Sequence, residues 1–161
     1  MKSTLLILFA LLAATVSCNK DDDNGTQSTE NPNNKYTFKG ETLKITDAEY
    51  YLDNGDVYLF FKGEGVDKYV QFILPNANNT IPTGALTWRE QLDGSYNPLY
   101  NFWKARVFNA DFPLGLDTVG GSLIITSAPG GRYNIGFAFL TDGNPVNDVD
   151  GKYEGLLRLR E

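Results

Sequence analysis

From Tyr36 onward no window of the chain shows a helical repeat of apolar residues; instead, runs of four to ten residues rich in Val, Ile, Tyr and Phe recur between clusters of Gly, Pro, Asn and Asp. Such a chain can bury its apolar positions only by pairing strands. The expected fold is therefore all-β, an antiparallel β-sandwich or open barrel of roughly nine strands. Alternation alone does not choose between the two.

The strands can be placed from their turns. Tyr36-Thr37-Phe38 comes first, and Gly40-Glu41 leads into Thr42 to Leu52. Leu43 and Ile45 share one parity and Ala48, Tyr50 and Leu52 the other, so a bulge near Asp47 is expected. Asn54-Gly55 carries the positive dihedrals of a type I′ hairpin, after which Val57 to Lys62 runs back. Tyr69 to Leu74 follows. A long loop, 75 to 84, leads to Ala85 to Trp88, and a second, 89 to 99, leads to Tyr100 to Asn109. In that last run Trp103, Ala105 and Val107 form the expected core face, with Phe102, Lys104, Arg106 and Phe108 opposite. A third loop is expected over 110 to 120, then strands at Ser122 to Ser127, Arg132 to Leu140 and Gly151 to Arg160. Tyr133, Ile135, Phe137 and Phe139 alternate strictly. Tyr153, Leu157 and Leu159 are expected to pair against them.

The domain is preceded by two segments of different character. Met1 to Thr4 is a short positive start, and Leu5 to Ala14 is an unbroken apolar run of about ten residues, the length of a signal-peptide core and about half of a membrane span. Residues 19 to 34 contain no aliphatic or aromatic side chain, so nothing offsets their conformational entropy. As a flexible coil they reach on the order of 20–25 Å. The expected organisation is an export signal over 1–17, a lipidated cysteine and disordered tether over 18–34, and a β-domain over 35–161.

Ser17-Cys18, with Thr15 where a Leu is usual, resembles a bacterial lipobox, and Asn19-Lys20-Asp21-Asp22-Asp23 is similar to the Lys-plus-acidic signal of surface-exposed Bacteroidota lipoproteins. Ile81-Pro82-Thr83-Gly84-Ala85-Leu86, Gly121 to Thr126, Tyr133-Asn134-Ile135 and Gly151 to Leu156 look like the turn-and-strand patterns of small β-rich members of that group. The resemblance implies cleavage before Cys18, acylation of Cys18 by diacylglycerol and a fatty acyl chain such as palmitate, and attachment to the outer membrane with the domain facing out. Lys20, Asp21, Asp22 and Asp23 would be the export signal. Several acyl chains hold a protein firmly where one binds reversibly, because each buried methylene contributes about 0.8 kcal/mol.

Composition then removes whole classes of chemistry. There is no histidine, and Cys18 is the only cysteine. Ser-His-Asp and Cys-His catalysis, the common zinc sites and disulfides are all excluded. A net charge of −6 without a basic block leaves no electrostatic footprint for nucleic acid. What remains points to a non-catalytic binding domain without a cofactor, whose partner is an extracellular glycan or another envelope protein.

For a glycan, the candidate residues are Trp88, Arg89, Glu90, Tyr96, Tyr100 and Trp103, since sugar C–H faces stack on flat rings while carboxylate and guanidinium groups bind hydroxyls. Strand-end packing of the two tryptophans is the competing reading. A carboxylate-based glycoside hydrolase is the alternative activity, with Glu90 and Asp93 or Asp111 and Asp117 as pairs. It requires a separation of about 5–9.5 Å and one raised pKa. Asp142, Asn144, Asp148 and Asp150 supply oxygens suited to calcium, but their spacing matches no calcium loop, and the same residues favour turns.

Overall fold

The computed structural model describes residues 31–76 and 80–160. The expected export signal over 1–17, Cys18 and Lys20 to Asp23 lie outside the described residues. Eleven strands are present among the described residues: β1 (Lys35–Phe38), β2 (Glu41–Asp53), β3 (Asp56–Gly63), β4 (Tyr69–Pro75), β5 (Gly84–Trp88), β6 (Asn101–Phe102), β7 (Lys104–Asn109), β8 (Phe112–Ala128), β9 (Arg132–Thr141), β10 (Asp148–Leu156) and β11 (Arg158–Leu159).

Eight of them close on themselves. The pairing runs β1-β2-β3-β4-β7-β8-β9-β10 and returns to β1, antiparallel throughout, so nearly every barrel strand pairs with its neighbours in sequence. The all-β expectation is met, and the architecture is a closed up-and-down barrel. Strands β5 and β6, inserted between β4 and β7, continue the wall: β5 pairs with β8 beyond the stretch that pairs with β7, β6 pairs with β5, and Leu86 and Phe102 from them join the core.

Local sequence explains the corners. Asn54 and Gly55 take φ of +49° and +84°, and the β2–β3 hairpin turns there. The β2–β3 register slips between Ile45 and Asp47, which lets Ile45 and Ala48 both point inward.

Aromatic rings fill the interior. Phe61 lies 5.5 Å from Phe137 and 5.6 Å from Tyr153, and Phe72 lies 5.3 Å from Phe137, 5.6 Å from Phe139 and 5.6 Å from Phe102. An eight-stranded barrel has room inside either for its own side chains or for one small ligand. Here the rings take that room, and each edge-to-face pair adds about 0.5–1.5 kcal/mol beyond the burial itself.

Four sequence expectations need correction. Residues 112 to 120 are not loop: only Ala110-Asp111 turn, and β8 runs on for 17 residues. The Gly residues that read as loop signals instead bend the strand, with Gly115 at φ +78° and a register slip between Thr118 and Gly120. Trp103 sits in a break between β6 and β7 that resets parity, so Phe102 is fully buried and Trp103 only half-buried. The terminal strand also splits after Leu156. Its last part, β11, leaves β9 and pairs in parallel with β2 beyond the point where β1 stops, leaving Leu159 exposed rather than opposed to β9.

The fourth correction concerns Asn31 to Asn34, read from sequence as the end of the tether. Asn34 is buried; its Oδ1 accepts from Glu154 N at 2.7 Å, its Nδ2 donates to Glu154 O at 3.1 Å, and its carbonyl accepts from Ile45 N at 2.9 Å. This amide ties the entry of the chain to β10 and β2.

Candidate functional site

The glycan-site candidates come from the β5 end, the 89–100 loop and the β6–β7 break. Asn101 holds these together. Its Oδ1 accepts from Asn97 N at 2.8 Å, and its Nδ2 donates to Thr87 Oγ1 at 2.9 Å, Tyr100 O at 3.1 Å and Thr87 O at 3.2 Å. The backbone adds Thr87 N to Tyr100 O at 2.9 Å and Arg89 N to Phe102 O at 3.0 Å. A loop of turn-forming residues is thereby fixed at both ends.

The outcome is a groove of about 380 Å³ on the outside of the barrel, lined by Trp88, Glu90, Gln91 and Leu92 from the loop side and by Trp103, Lys104, Asp117 and Thr118 from β7 and β8. Both tryptophans are half-buried and line the groove. Trp103 Nε1 also donates to Asp56 Oδ1 at 3.5 Å, which orients its ring. Burial pushes the Asp56 carboxyl up, against the pull of the Trp103 hydrogen bond.

Three of the six candidates, Trp88, Glu90 and Trp103, therefore share one site, and three do not. Arg89 turns to Asp93 at 3.6 Å. Tyr96 packs toward Asp56, where burial and then the Asp56 charge push its hydroxyl up; its Oη has no hydrogen-bond partner among the described residues. Tyr100 is 63% exposed and does not line the groove. Lys104 is the residue that sequence reasoning missed here, and Asp117, named from sequence only as one of a carboxylate pair, joins the groove because β8 extends through residue 117.

The carboxylate pairs are otherwise engaged. Asp93 accepts from Ser95 N at 2.8 Å and Ser95 Oγ at 2.7 Å, and these bonds, with Arg89 nearby, hold its carboxyl low. Burial raises the Asp117 carboxyl, but the hydrogen bond and charge of Arg106 and then Lys104, at 3.5 Å, bring it below the usual range. A general acid needs the opposite shift. Asp111 lies at the β7–β8 turn tip, whereas Asp117 lies opposite Arg106, which binds it.

The segment from 142 to 147 behaves as a turn, and β10 begins at Asp148. Asn147 O accepts from Thr141 N at 3.0 Å, Asn147 Nδ2 donates to Pro145 O at 2.8 Å, and Asp142 N donates to Asp117 O at 2.8 Å. Asp148 and Asp150 sit at alternate, exposed positions of β10. No group of three or more acidic side chains that could hold a metal forms among the described residues, so Asp142, Asp148 and Asp150 make no such cluster with Asn144.

Comparison with protein-family models, with curated proteins and with solved structures finds no match to this chain.

Proposed function

We infer that this chain is a surface lipoprotein, anchored to the outer membrane through Cys18, whose non-catalytic barrel binds an extracellular glycan in the groove between Trp88 and Trp103. The observation that carries this reading is the groove itself. Two tryptophans from separate parts of the chain line one open site together with a carboxylate, an amide and an ammonium group. A pyranose ring lays its C–H face on an indole while Glu90 and Gln91 accept from its hydroxyls and Lys104 donates to them. The filled interior supports an outside site over one within the barrel.

A second reading, docking on another envelope protein, is favoured by the exposed Leu92 and Leu99, at 98% and 68%, on the same loop. A glycan array read together with thermal shift separates the two. A saccharide that raises the melting temperature by a few degrees, an effect lost in Trp88→Ala and Trp103→Ala proteins that still fold, supports the glycan reading. A flat array, with capture of an outer-membrane protein that depends on Leu92, supports the other. Location has its own test. Protease added to intact cells should remove the domain, and alanine at Lys20 to Asp23 should protect it; a wild-type domain already protected refutes surface exposure.

A further inference from the structure

The outer face of β2, β3, β4 and β7 carries a second groove, independent of the first. Register puts Tyr51, Tyr58, Phe60, Tyr69 and Phe108 on that face, where their rings make a continuous run: Tyr51 to Tyr58 at 4.4 Å and 5° between planes, Tyr51 to Phe60 at 5.8 Å, Phe60 to Tyr69 at 6.2 Å, Tyr69 to Phe108 at 4.2 Å. Beside Phe60 and Tyr69 opens a groove of about 530 Å³, whose wall includes Thr46, Asp47, Lys62 and Arg160. Its volume falls within the range of small-molecule sites.

The cations of this face differ in what they hold. Lys62 is bound to Glu49 and lies 3.8 Å from Asp47, Arg158 is bound to Asp47 at 2.7 Å and to Glu49, and Arg106 is bound to Asp117. These pairs use up Asp47 and the buried Glu49. Arg160 has no carboxylate partner among the described residues. Its guanidinium lies 5.6 Å from the centre of the Phe60 ring, and its backbone is fixed by Arg160 N donating to Tyr50 O at 2.8 Å, directly after β11. The crossing of β11 to β2 thus delivers one guanidinium, with its charge unneutralised by these neighbours, to a groove with an aromatic floor.

We propose that this groove binds an acidic sugar, a hexuronate unit of an oligosaccharide. The C–H face of the sugar rests on the half-buried Tyr69, while the buried Phe60 ring holds the Arg160 guanidinium above it, and the sugar carboxylate takes the planar fork of Arg160 in a charge-assisted pair. A neutral sugar would leave the guanidinium unused, and a bare inorganic anion would leave Tyr69 unused. The groove needs nothing from Trp88 or Trp103.

The test is calorimetric titration of the full chain, purified in detergent, with tri-galacturonate, maltotriose and inorganic phosphate. Saturable binding of tri-galacturonate is expected, at least tenfold tighter than maltotriose and weakening as salt is raised from 50 to 300 mM. Arg160→Gln should weaken it at least tenfold, Arg160→Lys less, Tyr69→Ala at least fivefold, and Gly136→Ala, outside both grooves, not at all. The proposal is overturned if tri-galacturonate does not bind, if maltotriose binds equally well, if phosphate competes at equal concentration, or if folded Arg160→Gln protein binds as wild type. Loss on Trp88→Ala instead would place acidic glycans in the first groove and likewise overturn it.

Discussion

Replacing Asn101 by alanine should both destabilise the barrel and release the loop that carries half of the tryptophan groove. The Asn101 side chain is 6% exposed and makes four hydrogen bonds, the two shortest at 2.8 Å to Asn97 N and 2.9 Å to Thr87 Oγ1. A net contribution of about 1 kcal/mol for each of those two, plus part of the cost of leaving the part-buried Asn97 N–H and Thr87 hydroxyl without that partner, gives about 2–3 kcal/mol. The longer bonds add little, and Tyr100 O also accepts from Thr87 N. A folded unit of about 130 residues unfolds with an entropy on the order of 0.27 kcal/mol/K, so the melting temperature should fall by about 7–11 °C. Hydrogen exchange measured alongside should show faster exchange at Asp93, Tyr96 and Tyr100, whose amides donate only within the loop, and unchanged protection in β9 and β10. A melting point within 1 °C of wild type, with loop amides still protected, would refute the argument that this one amide organises the loop.

Other positions give sharper single-cause tests. A Cβ at Gly151 would overlap the Phe137 ring and come 2.7 Å from Tyr36 Cβ, so Gly151→Ala should cost about 1–3 kcal/mol by overpacking in denaturant titrations, whereas Gly136→Ala, with open space around it, should cost under about 0.5 kcal/mol. Phe61→Ala removes a fully buried ring packed on three others and should cost about 3–5 kcal/mol, with an unchanged m-value if two-state unfolding persists. Asp117 releases its proton more readily folded than unfolded, so its contribution is fully present above the ordinary carboxylate range of about 4 and drains away as pH falls through the lower folded value. Melting curves between pH 6 and pH 2.5 should therefore be less steep in pH for Asp117→Asn than for wild type, and an identical slope would show that Arg106 and Lys104 give Asp117 no net preference for its charged form.

The parts of this fold that were legible in the sequence are those whose cause is local. Asn54-Gly55 specifies its hairpin, the parity change from Ile45 to Ala48 specifies the bulge, and the alternation of Ile135, Phe137 and Phe139 specifies an inward face, because each depends on adjacent residues alone. The long β8 was hidden because Gly115, Gly120 and Gly121 have the same composition whether they end a strand or bend one around a barrel. Gly121 meets Phe139 so closely that a side chain there would strike its Cβ at 2.5 Å, a contact visible only once β9 is in place. Closure itself was not legible, since pairing β1 with β10 joins residues more than a hundred positions apart.

Buried polar groups were the hardest to see. Asn34 and Asn101 look like any turn asparagine, yet one is bonded to Glu154 and the other to Thr87. The candidate site followed the same division. Trp88, Glu90 and Trp103 could be named from residue type, but their partners Lys104 and Asp117 depend on strand register. The placement of Arg160 beside Phe60 was not legible, because it rests on β11 leaving its expected neighbour.

The most direct test of the account uses the fact that the chain has only two tryptophans, hence two indole N–H resonances. In an NMR titration with the best saccharide from the array, the account predicts that the indole signals of Trp88 and Trp103 move together along one saturation curve. The amides of interior strand positions such as Phe72 and Phe137 should stay in place. Movement of the interior amides with both indoles fixed would put the ligand inside the barrel and contradict the assignment of the outer groove.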